Sequence, residues 1–378
     1  MVRPQVAYSD GFLRYDFGGG HALREVRVRL AHDLLCAYGL VSEGDRLAFV
    51  PATREDLLSA HTARYVDAVR GLPERPVREA AEFGLGPGDN PIFAGMYDAA
   101  ALQVGATIGA CEAVVSGATV RAYNLGGGFH HAMADRASGF CIFNDPAIGI
   151  RRLLDRHRVR RVLYLDIDAH HGDGVQAHFY RDPRVITISL HEDGRFLFPG
   201  TGFVSEIGEG EGRGFSVNVP LPPGTADAGY RAAFDAIVPP LARAFRPEVI
   251  VTQTGADAHA GDPLTHLALS TAAYEHVART VDELSRELCG ARWIAVGGGG
   301  YDVTACARVW TLIYAAMAKA DLPDAVPSVW QKQCRDAGEP PPPSLRDSSP
   351  VPEPPHVEAR VRAVIGEVRR TVFPFHGI

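Results

Sequence analysis

Between Tyr164 and Gln176 the chain reads YLDIDAHHGDGVQ, three aspartates and two histidines within residues 166–173, directly after the apolar run RVLYL. In an extended segment residues two apart point the same way, so Asp166, Asp168 and His170 share one side while Ile167 and Ala169 face the other. A strand end presents metal ligands in this manner. One more carboxylate, Asp257, would complete a three-ligand set with a position left open for water, as a catalytic zinc site requires. Each piece alone has a plainer explanation. An Asp-x-His pair is more often a capping acid beside an ordinary histidine, His130–His131 after three glycines is more often a loop feature, and GGGG at 297–300 reads as a tight turn. Their conjunction is harder to explain by packing, because a buried ionisable group is unfavourable unless it is paired or ligating.

Positioning these groups calls for a sheet. Runs rich in β-branched and aromatic residues at 5–8, 120–125, 161–167, 184–190, 215–221, 248–254 and 292–297 read as strands buried on both faces. Helix-like segments occupy Asp98–Val115, Pro146–Arg156, Tyr230–Ala244, Thr271–Leu288 and Thr304–Ala320. Their alternation implies an α/β fold of three layers, a mostly parallel central sheet with helices on both sides. Ligands of such sheets bind outside the carboxyl ends of the strands. There stand GGGFHHAM (126–133), DIDAHHGDG (166–174), HEDGRFLFPGTG (191–202), GADAHAGDP (255–263) and GGGGY (297–301), all able to face one crevice.

Composition narrows the setting. A 378-residue chain that is 46% hydrophobic can bury a large core as a single domain. A net charge of -7 gives no basic footprint for nucleic acid. Six scattered cysteines without a C-x-x-C pair suggest neither disulfides nor a cysteine zinc site and fit a cytoplasmic protein. The N-terminus lacks a secretory apolar core, and no run approaches the ~18 apolar residues of a membrane span. Prolines crowd residues 337–355, read as an extended linker after a catalytic domain of residues 1–336. Beyond it Val357, Val361, Val364, Ile365, Val368 and Val372 recur at helical spacing, so 356–378 reads as an amphipathic helix that packs on the body or on a partner.

The ordered stretches LGGGFHHA, DIDAHHGDGVQ, SLHEDGRFLFPGTG, TGADAHAGDPL and VGGGGY resemble the zinc-dependent histone deacetylase family, which shares the arginase/deacetylase fold. GDNPIF (88–93) and HALREVRVRLAHDLL (21–35) are similar to its bacterial acetoin-utilisation branch. The resemblance runs from about Tyr8 to about Lys319. It implies Asp168, His170 and Asp257 as zinc ligands, with iron(II) as the alternative metal. It implies His130 and His131 as active-site histidines partnered by Asp166 and Asp173, and Tyr301 as hydrogen-bond donor to the substrate carbonyl. Gly139, Phe140 and Phe198 match residues of the acyl-lysine tunnel, Asp89 the rim acid that holds the substrate backbone, and Arg27 an arginine of an internal acetate channel. Asp166, Asp168, His170, Ser189 and Leu190 match a structural potassium or sodium site. The sequence departs from the pattern in the first loop, where the family's His-Pro is His21-Ala22 and Glu25 replaces a common proline.

The chemistry implied is hydrolysis of an acetylated amine to free amine and acetate. Zinc would polarise the amide carbonyl and bring its water towards a pKa of ~7. His131 would move the proton, His130 would give electrostatic support, and Tyr301 would serve the oxyanion. Leu264 stands where one branch of the family carries a glutamate for the second amine of a polyamine, so N6-acetyl-lysine in proteins is the expected substrate. An acetylpolyamine amidohydrolase is the alternative, with Glu82, Glu192 and Asp193 as loop acids of unassigned place. A two-manganese arginase-like ureohydrolase needs an acid where His259 stands, and a non-catalytic scaffold predicts loss of a ligand or of the tyrosine, neither of which is lost. The expected partner is an acetylated protein or small amine, without nucleic acid or membrane, and a homo-oligomer is compatible with the sequence.

Overall fold

In the computed structural model, which describes residues 3–72 and 80–378, one seven-stranded sheet carries the chain. Its strands are β1 (Gln5–Ala7), β2 (Arg121–Asn124), β3 (Val162–Asp166), β4 (Val185–Glu192), β5 (Ser216–Leu221), β6 (Val249–Gln253) and β7 (Trp293–Val296), in the order β1-β2-β7-β6-β3-β4-β5. Every neighbouring pair is parallel. This is the parallel α/β arrangement expected from the alternation of strands and helices. The strand residues of β2 to β7 are buried throughout, which is why β3, β6 and β7 read as mainly apolar runs, while the polar residues of β2 and β5 are buried with hydrogen-bond partners, as Asn124 is with Thr107 and Asn218 with Gln176.

Helices Met96–Ser116, Asp145–Asp155, Asp227–Phe245, Thr271–Cys289 and Val303–Ala318 flank the sheet, within a few residues of the spans expected from periodicity. Helices Val26–Ala37, Ala63–Gly71, Asp173–Phe179 and Ser328–Asp336 lie outside the spans expected from periodicity. In Val26–Ala37 the reason is burial on more than one side, since Arg27, Val28, Leu30, Ala31, His32, Leu34 and Leu35 are all buried and leave no single apolar stripe. Met96–Ser116 corrects the reading that no segment has the length and hydropathy of a membrane span. It meets both criteria, and 72% of its most apolar window is buried inside the protein. A helix apolar all round belongs in such a place.

The proline-rich stretch crosses the body in extended form and is tied to it. Leu345 is fully buried, Arg346 pairs with Glu275, and Asp347 pairs with Arg308. Glu353 accepts the backbone N–H groups of Ala226 (2.8 Å) and Gly229 (3.1 Å), so it caps the Asp227–Phe245 helix from afar. The last helix, Pro355–Val372, buries Val357, Val361, Val364, Val368 and Val372 against that same helix and β5.

Candidate active site

At the carboxyl ends of β3 and β6, in register at Asp166 and Gln253, the chain turns away and leaves Asp168, His170 and Asp257 in one buried cluster. A ligand atom from each lies within 4.8 Å of the others. The outer atoms of the two acids are already engaged. Asp168 Oδ2 accepts from Gln253 Nε2 (2.6 Å) and from the Gly299 N–H (2.7 Å), and Asp257 Oδ1 accepts the Ala169 N–H (2.7 Å). The remaining oxygens converge on one ring nitrogen, with Asp168 Oδ1 3.1 Å and Asp257 Oδ2 2.9 Å from His170 Nδ1. Two carboxylates and an imidazole, each oriented from behind and facing a common point, form a donor set suited to a divalent metal. The same crowding shows in their titration. Burial opposes charge on His170, but hydrogen bonds to Asp168 and Asp257 outweigh it and raise the ring to about 10. Of the acids, Asp257 is raised by burial and by repulsion from Asp168, which itself stays well below the usual carboxylate range. Gly299 makes this approach possible, because a Cβ there would stand 2.8 Å from Asp168 Oδ2 and still closer to Asp257. The glycine run is therefore more than a turn.

Beside the cluster lies the histidine pair. His130 Nδ1 donates to Asp166 (2.8 Å) and His131 Nδ1 to Asp173 (2.7 Å), and the two Nε2 atoms are 3.0 Å apart. Burial disfavours the His130 cation, yet Asp166 and Asp168 hold it, and its pKa stands at about 9. Burial and the His130 charge together press His131 down to about 4. Near neutrality His130 thus carries the pair's one positive charge, with a proton on each ring nitrogen, while His131 stays neutral with its proton on Nδ1.

Both rings line a cavity that also touches Leu23, Arg27, Gly139, Phe140, Asp168 and Tyr301. Tyr301 lies edge-on to Phe140 and to His170, at centroid distances of 5.7 and 6.4 Å, and burial holds its hydroxyl well above the ordinary 10. Phe198, 42% exposed, packs edge-on against His131 at 5.0 Å. Gly139 adopts φ +50°, and a Cβ on it would come within 2.9 Å of Phe198 and closer still to His131, so only glycine lets the ring and the tunnel wall meet. His21 connects the rim, lying edge-on to Phe140 at 4.6 Å while its Nε2 contacts the Asp89 carbonyl at 3.2 Å. Leu264, 37% exposed, occupies the turn after Asp257. Ser189 sits beside Asp166 across β3 and β4, with Leu190 next to it.

Several residues of this site carry no sequence signal of their role. Asp145 opens a helix, where an acid reads as a cap, but its buried carboxylate accepts the N–H groups of Gly128 (3.0 Å) and Phe129 (2.8 Å) and so fixes the loop before His130. Asn144 caps the same helix through Ala147 and also donates to the carbonyls of His130 and Ala132. Tyr164 donates to Asp166 at 2.7 Å. Asp262 accepts the Tyr301 N–H (2.7 Å), and His259 contacts Asp347, eighty-eight residues on, at 3.0 Å. The three unassigned loop acids are committed elsewhere. Glu82 pairs with Arg64, buried Glu192 accepts from His266, and Asp193 holds Arg195. A wider depression behind Asp173 gathers Arg151 and Arg184, but both already face Asp182.

The histone deacetylase domain matches residues 21–317. The acetoin utilization protein AcuC of Bacillus subtilis (strain 168) is 44% identical over 334 residues, 86% of either chain. Histone deacetylase clr6 of Schizosaccharomyces pombe is 37% identical over 324 residues, 85% of this chain and 78% of that one. Among solved structures, a histone deacetylase homologue complexed with SAHA superposes with a TM-score of 0.89 at 30% identity, covering 97% of this chain and all of the other. A homologue from Aquifex aeolicus gives 0.87 at 30% identity over 96% and 100%.

Proposed function

Since the chain belongs to the histone deacetylase family, in its acetoin-utilisation branch, and is a deacetylase hydrolase, we propose that it removes acetyl groups from N6-acetyl-lysine in proteins with one zinc ion. In a bacterial cytoplasm the substrate would be a metabolic enzyme sooner than a histone. The observation that carries this reading is the juxtaposition of the Asp168–His170–Asp257 cluster with a histidine pair whose rings are each backed by a separate carboxylate. Asp168, His170 and Asp257 would hold the metal, which when bound supplies Lewis acidity to an amide carbonyl and to water. Asp166, Ser189 and Leu190, with Asp168 and His170, would hold a potassium or sodium ion.

The protein's own groups divide the remaining work. His131, neutral and oriented through Asp173, accepts a proton at Nε2 and returns it to the leaving amine. His130 keeps its proton through Asp166 and presents positive charge where the tetrahedral oxygen develops. Tyr301 remains a phenol and donates to the same oxygen. Phe140 and Phe198 enclose the methylene stem of the acyl-lysine, whose burial is worth ~0.8 kcal/mol per methylene, and Asp89 at the rim accepts from the substrate backbone.

A lysine substrate is favoured over a polyamine because Leu264 offers no charge and Glu82, Glu192 and Asp193 already have cationic or hydrogen-bonding partners. The test compares kcat/KM for acetyl-lysine peptides and for acetylspermidine, alongside metal content per chain. Higher values for the polyamine than for every peptide would end the protein-substrate reading, and two tightly held metal ions per chain would end the single-zinc one.

A further inference from the structure

The turn that carries Asp257 is held in place from the far end of the chain. His259, two residues after Asp257, has a buried side chain. Its Nδ1 accepts the Gly261 N–H (3.0 Å), which leaves the ring proton on Nε2, and that nitrogen donates to Asp347 Oδ2 (3.0 Å) in the proline-rich strap. Asp347 is fully engaged. Its Oδ2 also accepts the Thr271 N–H (2.8 Å) at the start of the Thr271–Cys289 helix, its Oδ1 accepts from Arg308 Nη1 (2.7 Å), and its own N–H donates to Thr271 Oγ1 (2.9 Å). Arg308 belongs to the Val303–Ala318 helix, which begins just after Tyr301. One carboxylate thereby joins the strap to the metal-binding turn and to two helices.

The imidazole is the part of this contact that reaches the reacting groups. On one side of it, Thr265 Oγ1 donates to the Asp257 carbonyl and the His259 N–H donates to the Ala256 carbonyl (3.2 Å). On the other side, the Asp262 N–H donates to the His259 carbonyl (2.9 Å), while the Asp262 carboxylate accepts the N–H groups of Leu264 (2.9 Å) and Tyr301 (2.7 Å). A single turn thus carries Asp257, with Oδ2 facing His170, and the acid that anchors the Tyr301 backbone. His259 stands between them, and its ring is fixed from outside by Asp347.

We propose that Asp347 is a positioning residue for this turn, setting through His259 where Asp257 presents its oxygen and where Asp262 holds Tyr301. The proposal rests on the reading of Asp168, His170 and Asp257 as the metal site. It makes the strap act on metal affinity and turnover, with no contact to substrate. A tail contact that only stabilised the fold would change unfolding and leave metal affinity alone.

The test measures the zinc dissociation constant by chelator competition, and kcat and KM for an acetyl-lysine peptide, in the full-length chain well below its unfolding temperature. Asp347→Asn keeps the shape but has one side-chain oxygen to serve His259, Thr271 and Arg308. It should weaken zinc binding by about tenfold, the lower end of what the outer partners of metal ligands contribute, and lower kcat by a similar factor at unchanged KM. Amide exchange at Asp262 and Leu264 should quicken in the metal-free variant. Arg346→Met frees the neighbouring strap residue from Glu275, and it should lower stability while zinc affinity stays as it was. Asp347→Asn combined with His259→Phe should weaken zinc no more than the stronger single change, since both break the same contact. Wild-type zinc affinity in Asp347→Asn, with metal lost in Asp257→Ala, would overturn the positioning role and leave the metal site standing. Wild-type zinc affinity in Asp257→Ala would remove the metal site and the proposal with it. Equal zinc loss in Arg346→Met and Asp347→Asn would reduce the effect to a loosened strap, and additive losses in the double variant would take His259 out of the route; either result refutes the proposal.

Discussion

Glu25, at the start of the Val26–Ala37 helix, is buried with neither carboxylate oxygen hydrogen-bonded among the described residues, so Glu25→Gln should change how stability depends on pH. Burial lifts the folded Glu25 from its ordinary 4.5 to about 7. At about 1.4 kcal/mol per pH unit of difference, the gap between 4.5 and 7 amounts to about 3 kcal/mol. The sign follows from proton counting. Between these two values the folded chain keeps a proton that the unfolded chain has released, so stability is fully present below about pH 4.5 and is lost as pH rises towards 7. Above 7 both forms are ionised and the loss is complete. Glutamine has no such proton, so the variant's stability minus that of the wild type should grow by about 3 kcal/mol between pH 4.5 and pH 8, most of it below 7. Urea unfolding of both proteins across that range gives the difference directly, with every other titrating group common to the two curves. A difference of constant size would mean that Glu25 ionises as readily in the folded chain as in the unfolded one, and the description of an ill-settled buried acid would be wrong.

Asp168→Ala and Asp257→Ala should each lose both metal and activity, measured by metal analysis and turnover, because either change removes one of three ligands. Tyr301→Phe should keep metal and fold while turnover drops by ~10²–10³, and near wild-type turnover would take the tyrosine out of the mechanism. Asp347→Ala leaves buried Arg308 without its 2.7 Å partner and frees His259. It should lower unfolding stability by about 2 kcal/mol in a urea titration, and an unchanged midpoint would show the tail contact to be idle. Leu264→Glu should shift kcat/KM towards acetylspermidine and away from acetyl-lysine peptides, since it places a carboxylate in a partly exposed turn beside the site. No shift would separate that turn from substrate selection.

Much of the site is local, and for that reason legible without coordinates. The crowding of Asp166, Asp168 and His170 within five residues directly after an apolar run marks the site in the sequence, although β3 ends at Asp166 and the bend over residues 168–170, not an extended period, sets the two ligands together. The apolar runs of β3, β6 and β7 mark strands buried on both faces. Helices with one clear stripe, such as Thr271–Cys289, follow from periodicity in the same way. Contacts between distant segments are another matter, because nothing in the residue type of Asp145 distinguishes a helix cap from the acceptor of two loop N–H groups. His259 stands two residues after Asp257 in the sequence, but folding turns it towards Asp347 and Arg308. The proline content of 337–355 dictates an extended backbone, whereas its place against Arg308, Thr271 and the start of the Asp227–Phe245 helix comes from side chains far apart in the chain. Glu25 is the sharpest case. As a residue it is an ordinary surface acid, and only the packing of the Val26–Ala37 helix beside the glycine loop buries it next to Arg27 without a hydrogen bond. Local geometry is set by a few bonds and so can be read along the chain, while burial and charge pairing depend on which surfaces meet, and that is decided only when the sheet and its helices have closed.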